Sequence, residues 1–91
     1  MADAIVNPEE LKQFASHLSK VSSEFRQLRE TTRSKMSHLN QSWRDGENAK
    51  FVQQFEQDIK PLEKLIQTAE EYSSFLKRKA ASIEPYFNTR L

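Results

Sequence analysis

Asn40-Gln41-Ser42-Trp43-Arg44-Asp45-Gly46-Glu47-Asn48 interrupts an otherwise sustained helical pattern. This stretch holds the only glycine of the chain and a cluster of Asn, Ser and Asp, whose short polar side chains bond to nearby backbone and so favour caps and turns over helix interiors. On either side, apolar residues recur at steps of three and four. Upstream they are Leu11, Phe14, Leu18, Val21, Phe25 and Leu28, one stripe along one helix face, as in the seam of a coiled coil. Carried on in register, the stripe meets Thr32 and Lys35 before Met36 and Leu39 restore it. Downstream they are Val52, Phe55, Ile59, Leu62, Ile66, Ala69, Leu76, Ala80 and Ile83, with an interruption at Ser73. Two long helices joined by a short turn lie antiparallel. The expected architecture is all-α: one helical-hairpin domain over 1–91, with helix one at about 8–40, a turn at about 41–47, helix two at about 48–84 and a tail at 85–91.

The ends of these helices carry their own signals. Asn7 can cap helix one, with Pro8 at the favoured first position and Glu10 three residues after the cap. Helix two starts either after Ser42, with Asp45 closing a capping box, or after Asp45 itself. Pro61 falls inside the second stripe, where it lacks an N–H and crowds the carbonyl of Gln57, which predicts a kink. Pro85 either stops the helix or kinks its last turn, and the end from Asn88 is expected to fray.

Composition limits what such a hairpin can do. Of 91 residues, 36% are hydrophobic and 30% charged, with one Gly and three Pro, too little turn chemistry for a sheet protein. Fourteen basic residues against thirteen acidic give a net charge of +1, so the chain is no electrostatic magnet for nucleic acid. The basic group Arg26, Arg29, Arg33 and Lys35 is interleaved with Glu24 and Glu30 and reads as a solvated face. There is no cysteine, which excludes disulfides and thiolate metal sites and leaves the compartment open. No stretch approaches the roughly 20 apolar residues of a membrane span, and the first residues lack a basic segment followed by an apolar one. Any export is therefore expected to proceed without a cleavable signal peptide.

A second copy or another helical protein is implied by the width of the second stripe. Phe51, Leu65, Tyr72 and Tyr86 are spaced by sevens beside the main seam, with Asp58 and Lys79 at the intervening positions. One neighbouring helix cannot cover so wide a stripe, whereas a four-helix bundle made from two hairpins covers it. Helix packing and the dimer interface are assigned to Leu11, Phe14, Leu18, Val21, Phe25, Leu28 and Leu39 of helix one. In helix two they are assigned to Phe51, Phe55, Ile59, Leu62, Leu65, Ile66, Tyr72 and Leu76.

Chemistry-bearing constellations do not appear in the sequence. His17 and His38 stand far apart with no second ligand at helical spacing. Glu9-Glu10 and Glu70-Glu71 are neighbours that point apart on a helix, and one glycine cannot build a phosphate-cradling loop. No catalytic residue, metal ligand, cofactor or small-molecule substrate is expected, and the work of the chain is binding.

Ser42-Trp43-Arg44-Asp45-Gly46 at the turn, Pro8-Glu9-Glu10-Leu11 opening helix one, Leu39 before the Trp, and Ala49, Phe51 and Phe55 after it resemble the WXG family of hundred-residue proteins. These are the early-secreted-antigen-like substrates of type VII secretion. The resemblance implies hairpins that pair as homodimers or heterodimers in four-helix bundles. It also implies that Trp43 packs at the bend and that Gly46 permits close chain approach there. A type VII secretion substrate, or a helical partner of a secreted effector, is the function it suggests; an intracellular adaptor or chaperone that is not exported is the alternative. Two departures stand out. Arg44 and Asp45 separate Trp43 from Gly46 where the family pattern has one residue. The family's export signal, a Tyr followed four residues later by an acid, is not matched, since Leu76 follows Tyr72 and Arg90 follows Tyr86 at that offset.

Overall fold

The computed structural model describes residues 6–89, with side-chain surroundings as far as Tyr86. The opening residues read above for a signal and the last two of the expected tail lie outside the described residues. Three helices follow in order: α1 (Pro8–Leu39), α2 (Gly46–Asp58) and α3 (Lys60–Thr89). At the start of α1, the extended Asn7 accepts a hydrogen bond on its side chain from the Glu9 amide at 2.8 Å, and Pro8 takes the first helical position. Glu9 and Glu10 add negative charge in the first turn, where the helix dipole favours it.

α1 ends by tightening. The Asn40 amide bonds to the Met36 carbonyl, Gln41 to His38, and both Ser42 and Trp43 to Leu39, so the last carbonyls are satisfied within the turn. The chain then extends through Asp45, whose carboxylate accepts from the Asn48 amide at 3.0 Å and caps α2. The helix therefore begins at Gly46, and the turn occupies 40–45.

The long second helix, read from sequence as one element over 48–84, is two elements that meet at Ile59. Pro61 has no N–H to give the Gln57 carbonyl, and its ring displaces that carbonyl, so the ladder breaks just before it. The bonds Ile59 to Phe55 (3.0 Å) and Glu63 to Ile59 (3.2 Å) carry the chain across the break. At the other end the correction runs the opposite way. α3 does not stop at residue 84 but passes through Pro85 to Thr89. The one bond forfeited there is to the carbonyl of Ala81, a solvent-exposed residue, where water can serve that oxygen in its place.

α1 and α3 pack antiparallel. Their seam is lined at seven-residue intervals by Pro8, Ala15 and Ser22 on α1, facing Ile66, Ser73 and Ala80 on α3. Ala15 and Ala80 are fully closed to solvent, and the buried Ser73 hydroxyl donates to the Ala15 carbonyl across the seam at 2.8 Å. Small side chains let the two backbones approach closely enough for that bond. The result is long and thin, 67 × 23 × 14 Å with a radius of gyration of 20.5 Å, against about 12 Å for a compact domain of this length.

Candidate interaction face

The buried line of α1 is not the apolar stripe that marks it in the sequence. Ala15 and Ser22 face α3, Phe14 and Val21 each precede one of them by one residue, about 100° round the helix, and Leu28 continues the Phe14–Val21 line at the next seven-residue step. The reason is spatial: phenylalanine and leucine on the seam line would hold the helices apart, while alanine and serine allow them together. α3 repeats the arrangement, with Leu65 one residue before Ile66, Tyr72 before Ser73 and Lys79 before Ala80. In antiparallel helices these two sets turn to the same side of the hairpin.

Charged residues occupy the opposite flank, four positions after the seam on both helices. Lys12 binds Glu84 at 2.6 Å, Arg26 pairs with Glu70, and Arg33 reaches both Glu63 at 3.0 Å and Glu56 at 3.2 Å. The Lys12 ammonium is held above its ordinary range by the hydrogen bond to Glu84, opposed by desolvation and reinforced by the charges of Glu84 and Glu9. Partly exposed pairs of this kind add little to stability, because water screens them, but they close one side of the hairpin with charges already paired. The hairpin is thus two-sided: charges paired on one face, apolar residues unpaired on the other.

The residues assigned to packing and pairing separate accordingly. Ile59 and Ile66 are buried within the chain. Leu11, Leu18, Val21, Phe25, Phe55, Leu62 and Leu76 are half-buried along the flank of the seam. Phe14, Leu28, Leu39, Phe51, Leu65 and Tyr72 stay exposed, Leu65 at 52% and Tyr72 at 61%. Phe75, exposed at 57%, is missing from the sequence-based assignment because it falls between the three-and-four steps. Ser22 and Ser73 escape that reading too, although their seven-residue spacing from Ala15 and Ala80 is visible in the sequence.

At the turn, the half-buried Trp43 ring lies 5.6 Å from that of Phe51, tilted by 39°. The Asn48 side-chain Nδ2 donates to Asn40 Oδ1 at 2.7 Å. Gly46 requires a correction: a Cβ built there meets nothing within 4 Å, and its φ is not positive. Within one chain, no close approach demands glycine at this position. The extra residue between Trp and Gly has a use, since Asp45 is the cap of α2.

Among the described residues no helix is long and apolar enough to cross a membrane, and no group of three His, Asp or Glu side chains could hold a metal ion. A surface depression lined by Gln67, Glu70, Glu71, Ser74 and Arg78 is polar and open to solvent. Comparison with known proteins gives one finding: the profile of the WXG100 family, described as proteins of 100 residues with WXG, matches residues 4–85. No curated protein and no solved structure matches the chain. A match across nearly the whole hairpin, turn included, makes the chain a member of the WXG100 family, the small helical-hairpin proteins associated with type VII secretion.

Proposed function

We propose that the chain is a non-enzymatic helical partner protein of type VII secretion, that it pairs with a second copy of itself through its apolar face, and that it is exported without a cleavable signal peptide. The observation that carries the pairing is the surface the hairpin leaves uncovered. Its accessible area is 7166 Å², against about 5,500 Å² for a compact folded chain of this mass. The excess of roughly 1,600 Å² exceeds the roughly 800 Å² that each partner of a standard stable complex buries. Leu28, Leu65 and Tyr72, all more than half exposed, stand on the face that a second hairpin would cover, and covering what remains exposed of each leucine gains about 1–1.5 kcal/mol. Membership in the WXG100 family supports the secretion role.

Export is tested by expressing the tagged chain in a host with a type VII system and assaying the medium. Accumulation outside the cell that stops when the secretion ATPase is disabled supports the reading. Retention of the chain in cells that export their own type VII substrates contradicts it and favours an intracellular adaptor.

A further inference from the structure

The exposed line on α2 and α3 carries its own instruction for pairing. Phe51, Asp58, Leu65, Tyr72, Lys79 and Tyr86 follow one another at seven-residue intervals and are all exposed; such a line stays on one side of a helix wound at 3.5 residues per turn, and it runs on from α2 into α3 because Ile59 keeps right-handed helical angles (φ −82°, ψ −15°). Its acid and its base lie equally far from the point midway between Leu65 and Tyr72. Neither takes part in the chain's described ion pairs, which join Lys12 to Glu84, Arg26 to Glu70, Arg29 to Glu30, and Arg33 to Glu56 and Glu63. Among the described residues, the Asp58 carboxylate accepts from its helical neighbour Gln54 alone, at 3.0 Å.

We propose that two copies of the chain pair antiparallel along this line, about a two-fold axis between Leu65 and Tyr72, and that Asp58 of each copy against Lys79 of the other sets the register. This rests on the pairing reading above and adds its geometry. In that arrangement Leu65 meets Tyr72 of the second copy, and the acid and base meet twice, once on each side of the axis. Parallel pairing in register would set Asp58 on Asp58 and Lys79 on Lys79, like charges brought together in a partly desolvated interface. Sliding the antiparallel pair by one seven-residue step would put Asp58 on Tyr72 and Lys79 on Phe51, or Asp58 on Tyr86 and Lys79 on Leu65, leaving each charge against an apolar group. One register alone pairs every charge on the line. α1 agrees with it: the Arg26–Glu70 pair places Leu28, 57% exposed, nearly level with the same axis, where it meets its counterpart in the second copy.

The test uses the full chain and five samples measured by sedimentation equilibrium: wild type, Asp58→Lys, Lys79→Asp, the double swap and a mixture of the two single variants. Both positions are exposed, so the substitutions act on pairing rather than folding. Each single variant is expected to weaken the dimer by roughly tenfold or more, because it sets like charges together at both sites. The double swap is expected to return to near wild-type affinity. An equimolar mixture of the two single variants is expected to dimerise better than either alone, since it brings opposite charges together at both sites. A double swap no tighter than the single variants, or single variants with unchanged affinity, overturns the register while leaving the dimer intact. A folded but monomeric wild type overturns the pairing reading itself, and the register with it.

Discussion

Where α1 meets α3, Ala15, Ser22, Ser73 and Ala80 are closed to solvent and a side chain bonds directly to the facing backbone. Where α1 faces α2, no Cα comes within 8 Å of the other helix and no residue of α2 is buried. The turn end is held instead by side chains that reach across: Trp43 against Phe51, Asn40 to Asn48, and Arg33 to Glu56. The break at Ile59 separates the two regimes. Small residues on a seam bring backbones together and leave the large apolar residues to the flank, so a chain with little core gains a tight hairpin and an uncovered face at once.

The sharpest way to break this comparison is to enlarge one alanine at each end. Ala15→Leu forces a large side chain into a position with no exposure and is expected to cost about 3 kcal/mol. Ala49→Leu, on exposed α2 surface, is expected to stay within about 0.5 kcal/mol. Chemical denaturation measures both, and equal losses would mean that the two ends are built alike. Next in size is Trp43→Ala, expected to lower stability by about 1–2 kcal/mol, since its ring is half-buried and makes one aromatic contact. An unchanged thermal melting curve would show that the turn end does not depend on it.

Two serines on the same seam sharpen the account in opposite directions. Ser73→Ala removes the bond to the Ala15 carbonyl and is expected to cost about 1 kcal/mol. Ser22→Ala removes a buried hydroxyl that has no hydrogen-bond partner and is expected to raise stability by about 1 kcal/mol or less. Matching signs in thermal unfolding would contradict the hydrogen-bond assignment. The smallest effect concerns Lys12. Its pKa is raised above the ordinary 10.5 by Glu84, so its contribution is complete below that ordinary value and is lost as the pH rises through the raised one. Lys12→Met is expected to flatten the corresponding part of a stability curve taken into alkaline pH.

Much of the fold is written in the three-and-four spacing on either side of Asn40–Asn48: two amphipathic stretches around one cluster of turn residues can hardly be other than an antiparallel hairpin. On the second stretch that spacing picks out the inward line, for Ile59, Ile66, Ala69 and Ala80 are buried; on α1 it conceals that line. A stripe of Leu and Phe looks like the seam, yet close helix approach selects the neighbouring Ala and Ser line, a choice that depends on the distance between helices and not on hydropathy. Proline is also read differently in structure than in sequence. Pro61 breaks the ladder in mid-helix, whereas Pro85 is passed over near the helix end, where its forfeited bond faces solvent. The exposed face is half legible, since Leu65 and Tyr72 follow the seven-residue spacing while Phe75 does not.

The most direct test of the two-sided hairpin is the solution mass of the wild-type chain by light scattering during size exclusion, on samples diluted from about 100 to 1 μM, a range that brackets ordinary association strengths. A self-paired apolar face gives a mass twice the 10.7 kDa of one chain, dissociating only on dilution. A well-folded species of 10.7 kDa at the highest concentration would contradict pairing between copies.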